Sequence, residues 1–253
     1  MTAPVPLSAD YLSTFQSPHF GVLVQRYKRF LADVRLDNGE VVTAHCTNTG
    51  SMKGVCVPGE RVLLSHNPAP HRKLHWTWEA TRLPELPQGD WVGINTAQPN
   101  RVVKEALSRG LITALADAGT VKAEIKIDAH TRLDFVLTHP KTGRKTFVEV
   151  KNVTLTDGGS AKGRTALFPD SVSERALKHL DTLERLAGQG HRACVFFVTQ
   201  RQDCTAVAAA GDIDPDYAAG LTRVCARGVE ALAYSFIVDE KGIRLGAPLP
   251  VRT

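Results

Sequence analysis

With 253 residues, 43% of them hydrophobic and 23% charged, the chain has the makeup of an ordinary globular protein and the length for one large domain or two modest ones. No apolar run approaches the roughly 18 residues of a membrane-spanning helix, and Met1-Thr2-Ala3-Pro4 does not open a secretory leader, so a cytoplasmic protein with no membrane partner is expected. A net charge of +5 favours a polyanionic partner, and five cysteines without a Cys-x-x-Cys pair point to reduced thiols rather than disulfides or a zinc site.

Short strand patterns follow one another through the first third of the chain. Residues 21–36 alternate apolar and polar, Asp37-Asn38-Gly39 supplies a tight turn into residues 40–46, and residues 61–66 and 74–82 continue the pattern between proline and glycine breakers. No helix interrupts them, which predicts a small, partly closed barrel of the OB type over residues 1–83. Two stretches of it suit nucleic acid. Arg26-Tyr27-Lys28-Arg29-Phe30 interleaves cations with aromatics, fitting phosphate contact through Arg26, Lys28 and Arg29 beside base stacking, or else a strand with its cations in solvent and its aromatics in the core. Thr47-Asn48-Thr49-Gly50-Ser51-Met52-Lys53-Gly54 is a polar loop that can offer backbone N–H groups, Asn48 and Lys53 to a phosphate, or serve as a plain connection.

Breakers between Leu83 and Gln98 mark a boundary, and residues 84–253 form the second domain. Residues 100–109 predict a helix with Asn100 as N-cap, Gly110 as stop, and Val102, Val103, Ala106 and Leu107 as its apolar stripe. Glu105 flanks the stripe, within reach of a neighbouring metal site or simply solvated. Residues 121–128 alternate strictly, as an edge strand does.

The chemistry concentrates in the next two runs, Thr131-Arg132-Leu133-Asp134-Phe135-Val136-Leu137 and Thr146-Phe147-Val148-Glu149-Val150-Lys151, joined by a turn that contains Pro140 and Gly143. They read as an antiparallel hairpin in which Glu149 and Lys151 share one face. If the register puts Asp134 on that face, two carboxylates and an ammonium meet. Hard oxygen ligands suit Mg2+ or Mn2+, and a lysine beside them can orient water or stabilise charge on a phosphate. A surface hairpin with an ordinary ion pair produces the same short pattern. The apolar residues around all three charges favour the metal site, since charges are seldom buried unless paired or metal-bound.

Beyond it, residues 156–165 form a glycine-rich, flexible stretch carrying Lys162 and Arg164, suited to closing over a phosphate backbone or to moving freely in solvent. Ser171 and Glu174 are spaced as a capping box, with Val172, Ala176, Leu180, Leu183 and Ala187 as the stripe of the helix that follows. Arg175, Lys178 and His179 lie on its more polar face, where they can contact phosphate. Residues 191–199 are a nearly continuous apolar run, the mark of a strand covered on both faces. Residues 214–226 read as a helix with Pro215 in its first turn, and residues 231–238 as another strand. The order builds a mixed sheet flanked by helices.

Taken together, Arg26-Tyr27-Lys28-Arg29-Phe30, Asn48-Thr49-Gly50-Ser51-Met52, Arg132-Leu133-Asp134-Phe135, Val148-Glu149-Val150-Lys151-Asn152-Val153-Thr154-Leu155 and Phe168-Pro169-Asp170-Ser171-Val172-Ser173-Glu174-Arg175 resemble the sugar fermentation stimulation protein family, SfsA. The family's usual Cys-Pro-Asn-Thr-Gly reads Cys46-Thr47-Asn48-Thr49-Gly50 here, and the stretch between Leu155 and Phe168 is longer and more basic than the usual family loop. The resemblance implies an α/β protein with an N-terminal OB-like β-barrel and a C-terminal PD-(D/E)XK nuclease-like domain. It also implies DNA binding with little sequence preference, and a role in regulating sugar, especially maltose, metabolism. By motif it puts Asp134 and Glu149 at the metal-ligand positions, Lys151 at the catalytic lysine and Glu105 at the acidic residue of the preceding helix. The expected function is a DNA-binding protein with an Mg2+- or Mn2+-dependent phosphodiesterase site. The alternatives are a non-catalytic DNA-binding regulatory module and an RNA-directed nuclease. Oligomeric state is left open, a homodimer included.

Overall fold

The computed structural model describes residues 10–83, 86, 90–129, 131–159 and 163–253. Lys162 lies outside the described residues. The first strands are β1 (Tyr11–Thr14), β2 (Pro18–Tyr27), β3 (Leu31–Leu36), β4 (Val41–His45), β5 (Arg61–His66) and β6 (Trp76–Arg82). Strands β2 to β6 pair around a closed ring in the order β4-β3-β2-β5-β6, sealed by the parallel β4–β6 contact Ala44↔Trp76 and His45↔Thr77. Their inward side chains, among them Leu23, Val34, Val42, Ala44, Val62, Leu64 and Trp78, fill the barrel. The OB-type barrel expected from the strand pattern is the one observed. The stretch 21–36 is two strands, because Lys28 and Arg29 take left-handed backbone angles (φ 48° and 65°) and turn the chain.

Strand β7 (Trp91–Gly93) joins the two halves, pairing with β6 on one side and with β15 (Glu230–Val238) on the other. Gly93 is required there: a Cβ at this position would lie 2.6 Å from the side-chain oxygen of Gln200, whose backbone carbonyl accepts the Gly93 N–H at 3.0 Å. The sheet runs on through β13 (Arg192–Thr199), β10 (Lys145–Val153), β9 (Arg132–Thr138) and β8 (Thr120–Lys126), and β16 (Gly242–Leu249) pairs with β15 and β1. Strands β10, β13 and β15 are mutually parallel, while β8, β9 and β16 run antiparallel to their neighbours, giving the mixed sheet. A smaller sheet consists of β11 (Leu155–Thr156), β12 (Arg164–Phe168), β14 (Cys204–Ala209) and β17 (Val251–Arg252). The stretch expected to be flexible is therefore flanked by the antiparallel β11–β12 pair, Leu155↔Leu167 and Thr156↔Ala166.

Helix α1 (Gln98–Ser108) covers one face of the large sheet, and α2 (Glu174–Gly188) and α3 (Pro215–Ala226) cover the other. The alternation of β10 sorts its side chains between these layers. Val148 and Val150 pack with Val102, Val103 and Ala106 of α1, whereas Phe147 and Val153 pack with Ala176, Leu180 and Leu183 of α2. Among the described residues no helix is long and apolar enough to cross a membrane.

Three expected helix details differ. Helix α1 starts at Gln98 with Pro99 in its first turn, and Ala97 is the N-cap. Proline is pre-set for a first turn, so the helix begins two residues before Asn100, whose side chain is released for other work. Helix α2 is capped by Ser173, which accepts the Ala176 N–H at 3.2 Å, rather than by a Ser171/Glu174 box. Val172 consequently lies outside the helix and is 72% exposed instead of belonging to the apolar stripe.

Candidate functional site

Strands β9 and β10 pair Phe135 with Val148 and Val136 with Phe147, so continuing the register places Asp134 opposite Glu149 on one face. The carboxylate of Asp134 ends the ladder: Oδ2 accepts the Val150 N–H at 2.7 Å and Oδ1 accepts from Asn100 Nδ2 at 2.7 Å. Glu149 and Lys151 project from β10 toward α2 and are nearly inaccessible, at 4% and 9% exposure. Lys151 Nζ donates to Glu149 Oε1 at 2.8 Å, and His179 Nδ1 hydrogen-bonds the same oxygen. A carboxylate oxygen only accepts, so the His179 proton sits on Nδ1. Nζ and Nδ1 are 3.4 Å apart.

Two donors thus converge on one oxygen of Glu149, while Oε2 is buried with no hydrogen-bond partner. A buried, unpartnered carboxylate oxygen is costly and calls for a ligand. Burial pushes the Glu149 carboxyl up, but the His179 hydrogen bond and the charge of Lys151 outweigh it and hold the group below its usual range. Asp134 moves the other way: burial first, then the nearby Glu149 charge, raise it against the opposing hydrogen bonds from Val150 and Asn100. Two carboxylates that disturb one another at this range are the arrangement a cation relieves. Among the described residues no three His, Cys, Asp or Glu side chains form a ready-made cage. The pair still fits Mg2+ or Mn2+, because magnesium is commonly held by one or two carboxylates and completes its shell with water and substrate phosphate.

The remaining sequence candidates separate into three groups. Glu105 is not brought into the cluster; on α1 it pairs with Arg109 four residues on, Nε to Oε1 at 2.7 Å, and Asn100 is the α1 residue that reaches Asp134. Arg26 and Asn48 serve the protein itself. The Arg26 guanidinium donates to the carbonyls of Asn48 (2.9 Å) and Gly50 (3.1 Å), and Asn48 is buried with its side-chain oxygen on the Gly50 N–H. Arg164 Nη1 lies 3.4 Å from Asp203 and its Nε donates to the Gly159 carbonyl. Lys28, Arg29, Lys53 and Arg175 are exposed. Phe30, beside the first two, is 46% exposed rather than buried.

Sequence reasoning missed His179 and Asn100 as members of the cluster. His179 was assigned to the polar face of α2 but is only 6% exposed. Its spacing of three from Ala176 and four from Leu183 put it in the buried stripe all along. Thr47, the departure from the family's proline, also proves informative. Its hydroxyl donates to Asn95 Oδ1 at 2.9 Å and accepts the Thr96 N–H at 3.0 Å, so it moors the loop by bonds that a proline could not make.

The fold is that of an OB barrel joined to an α/β domain built on a mixed sheet. Residues 24–94 match the model of the SfsA N-terminal OB domain, and residues 97–242 match that of the sugar fermentation stimulation protein RE domain. The chain belongs to the sugar fermentation stimulation protein family. It is 49% identical over 231 residues to a sugar fermentation stimulation protein homolog of Geobacter sulfurreducens, covering 91% of this chain and 94% of that one. It is 45% identical over 239 residues to the homolog of Dinoroseobacter shibae, covering 94% and 95%. Among solved structures, Pyrococcus furiosus SfsA in complex with Ca2+ superposes with a TM-score of 0.82 at 23% identity, covering 97% of this chain and all of that one.

Proposed function

We propose that the chain is a cytoplasmic, metal-dependent phosphodiesterase that binds DNA with little sequence preference, its barrel and catalytic sheet forming one contact face. The observation that carries this reading is the buried Glu149, whose Oε1 is engaged by Lys151 and His179 while Oε2 is buried without a partner, near enough to Asp134 for the two carboxylates to disturb one another. A pure binding module gains nothing from carboxylates that repel phosphate. The Ca2+ complex of the Pyrococcus furiosus relative adds support, since Ca2+ and Mg2+ both prefer oxygen ligands.

Asp134 and Glu149 would hold the ion. When bound, it neutralises their charge and stabilises charge developing on the phosphate. Lys151, fixed by Glu149, presents an ammonium beside the scissile position, where it orients water and balances the phosphate oxygens. His179 is a positioning residue: together with Lys151 it holds Oε1 of the Glu149 carboxylate, which leaves the buried Oε2 as the oxygen without a partner. Asn100 and the Val150 N–H hold the carboxylate of Asp134. Lys28, Arg29, Lys53 and Arg175 supply exposed cations for the phosphate backbone.

The test is cleavage of single- and double-stranded DNA, and of RNA, by purified protein with Mg2+ or Mn2+. Asp134→Asn and Lys151→Ala are each expected to lower the rate by roughly 100-fold or more. Cleavage equal in all three proteins would sink the assignment, and absent cleavage with salt-sensitive binding would reduce the protein to a binding module. Lys28→Ala and Arg29→Ala should each reduce the slope of log affinity against log salt by about 1.

A further inference from the structure

Two of the sequence motifs are not used by the catalytic cluster: the Asn-Thr-Gly loop of the barrel and the Phe-Pro-Asp stretch before α2. They lie some 120 residues apart in the chain and meet at a cavity of about 360 Å3. Its walls include Asn48 and Gly50 from the loop, Asn152 and Thr154 from the end of β10, and Phe168 and Asp170. Asn152 directly follows Lys151 on β10, so the cavity lies at the end of the strand that carries Glu149 and Lys151.

The cavity is built, not incidental. Its loop is moored at one end by Thr47 to Asn95 and Thr96, and at the other by Ser51, whose hydroxyl donates to Asp170 Oδ2 at 3.1 Å. Arg26 holds the loop's carbonyls from behind. Gly50 keeps the space open, since a Cβ there would lie 2.8 Å from Asp170 Oδ2 and 3.1 Å from Asn48 Oδ1. Phe168 is braced by the rings of Tyr217 (5.1 Å) and Phe197 (5.9 Å). A ligand entering such a site orders little on arrival, which favours binding.

Its chemistry narrows the occupant. Among the described residues no lysine or arginine lines it and a carboxylate does, a lining that disfavours phosphate. Amides, hydroxyls, one carboxylate and one aromatic ring suit a planar, uncharged ligand bearing both donors and acceptors. The volume falls at the small end of the roughly 300–1,000 Å3 of small-molecule sites. Bases splayed from single-stranded nucleic acid are held in this manner, by aromatic contact and by hydrogen bonds to their edges.

We propose that this cavity takes one nucleoside of the substrate strand, beside the phosphate engaged by Asp134, Glu149 and Lys151, and reads its base through Asp170, Asn152 and Thr154. The inference rests on the nucleic-acid reading above for the identity of the strand. Guanine is the best match, because its N1–H and exocyclic amine are adjacent donors facing a carboxylate.

The test uses fluorescence anisotropy of the full chain in Ca2+ with labelled thymidylate 8-mers carrying one central A, C, G or T, and with a fully abasic 8-mer, strand integrity being checked afterwards. The abasic strand should bind about 10-fold more weakly, in line with the value of a base held against an aromatic ring. The guanine strand should bind most tightly. Asp170→Asn should erase that preference, and Thr154→Val, which keeps the Ser51–Asp170 bond, should reduce it. Equal affinity for abasic and thymidylate strands, or an unchanged ranking in both variants, overturns the proposal. So does a thermal shift by millimolar maltose that Asp170→Asn abolishes, which would assign the cavity to a free sugar. A parallel cleavage assay keeps the two readings apart: ranked binding without cleavage removes the nuclease reading alone, and cleavage with unranked binding removes the cavity proposal alone.

Discussion

At the scale of single residues, the carboxylate cluster is a place where the fold works against itself. Burial and then the Glu149 charge raise the Asp134 carboxyl, and an unpartnered buried acceptor such as Glu149 Oε2 costs about 1–3 kcal/mol. Functional sites tolerate such local costs because a ligand relieves them. In a chelator, Asp134→Asn is therefore expected to melt at or above the wild-type temperature, since it removes the like-charge contact that raises the Asp134 carboxyl. With Mn2+ at 100 times its Kd the wild type should gain about 2.7 kcal/mol, roughly 5–10 °C in Tm for a chain of this size, and the variant much less. Differential scanning fluorimetry measures both. Equal gains in the two proteins would mean that the ion binds elsewhere.

At the scale of elements, the two helices over the face that carries Glu149 share one side chain at their starts. Asp214 is 4% exposed and caps α3 by accepting the Tyr217 N–H at 3.0 Å, while its other oxygen accepts the N–H of Ser173, the N-cap of α2, at 2.9 Å. Caps are worth about 1 kcal/mol each, so Asp214→Ala should cost about 2 kcal/mol or more by urea denaturation. Asp214→Asn, which retains one acceptor, should recover about half. Loss of under 0.5 kcal/mol in the alanine variant would show that the helices are held by packing alone. Helix α3 was legible from Pro215 and its flanks because a first-turn proline is a local signal. The start of α2 was not, because Ser171 and Ser173 are both capable caps and the choice was made by Asp214, 41 residues away. The same limit governs the cluster. Alternation put Glu149 and Lys151 on one face, and the β9–β10 pairing adds Asp134. The i,i+4 spacing of Glu105 and Arg109 and the stripe position of His179 were local signals, but which of the two side chains would reach Glu149 was decided by how α1 and α2 pack on the sheet.

At the scale of the whole molecule, the barrel and the α/β domain are joined by a buried polar network as well as by β7. The Glu79 carboxyl on β6 is 6% exposed and accepts from Ser65 on β5 (2.7 Å), Asn95 (2.8 Å) and Gln98 at the start of α1 (3.1 Å). Asn95 in turn holds Thr47, and Gln98 holds Ser13 on β1 at 2.9 Å. This network orients the barrel loop against the α/β domain, so it also shapes the cavity between them. Apolar contacts such as Leu63 and Ala80 against Leu12 and Trp91 cross the same junction, but they fix an area rather than an orientation. The chain offers two separate reporters of its halves. Its 3 tryptophans, Trp76, Trp78 and Trp91, lie in the barrel and β7, whereas α1, α2 and α3 all lie in the second domain. Trp76 and Trp78 report the barrel, whereas Trp91 packs in the core that holds α1, so in a Trp91→Phe background fluorescence follows the barrel while far-ultraviolet circular dichroism at 222 nm is dominated by the helical half. In that background the two urea transitions should coincide. Glu79→Ala leaves two buried donors, Asn95 and Gln98, and the part-buried Ser65 hydroxyl without their acceptor, a loss on the order of 3–5 kcal/mol. That loss falls on the junction and on the barrel strands that carry it. The fluorescence transition should then move to lower urea than the dichroism transition, separating two events that are one in the parent. If both shift together, the apolar contacts and β7 suffice to couple the halves, and the polar network stabilises the molecule without joining it.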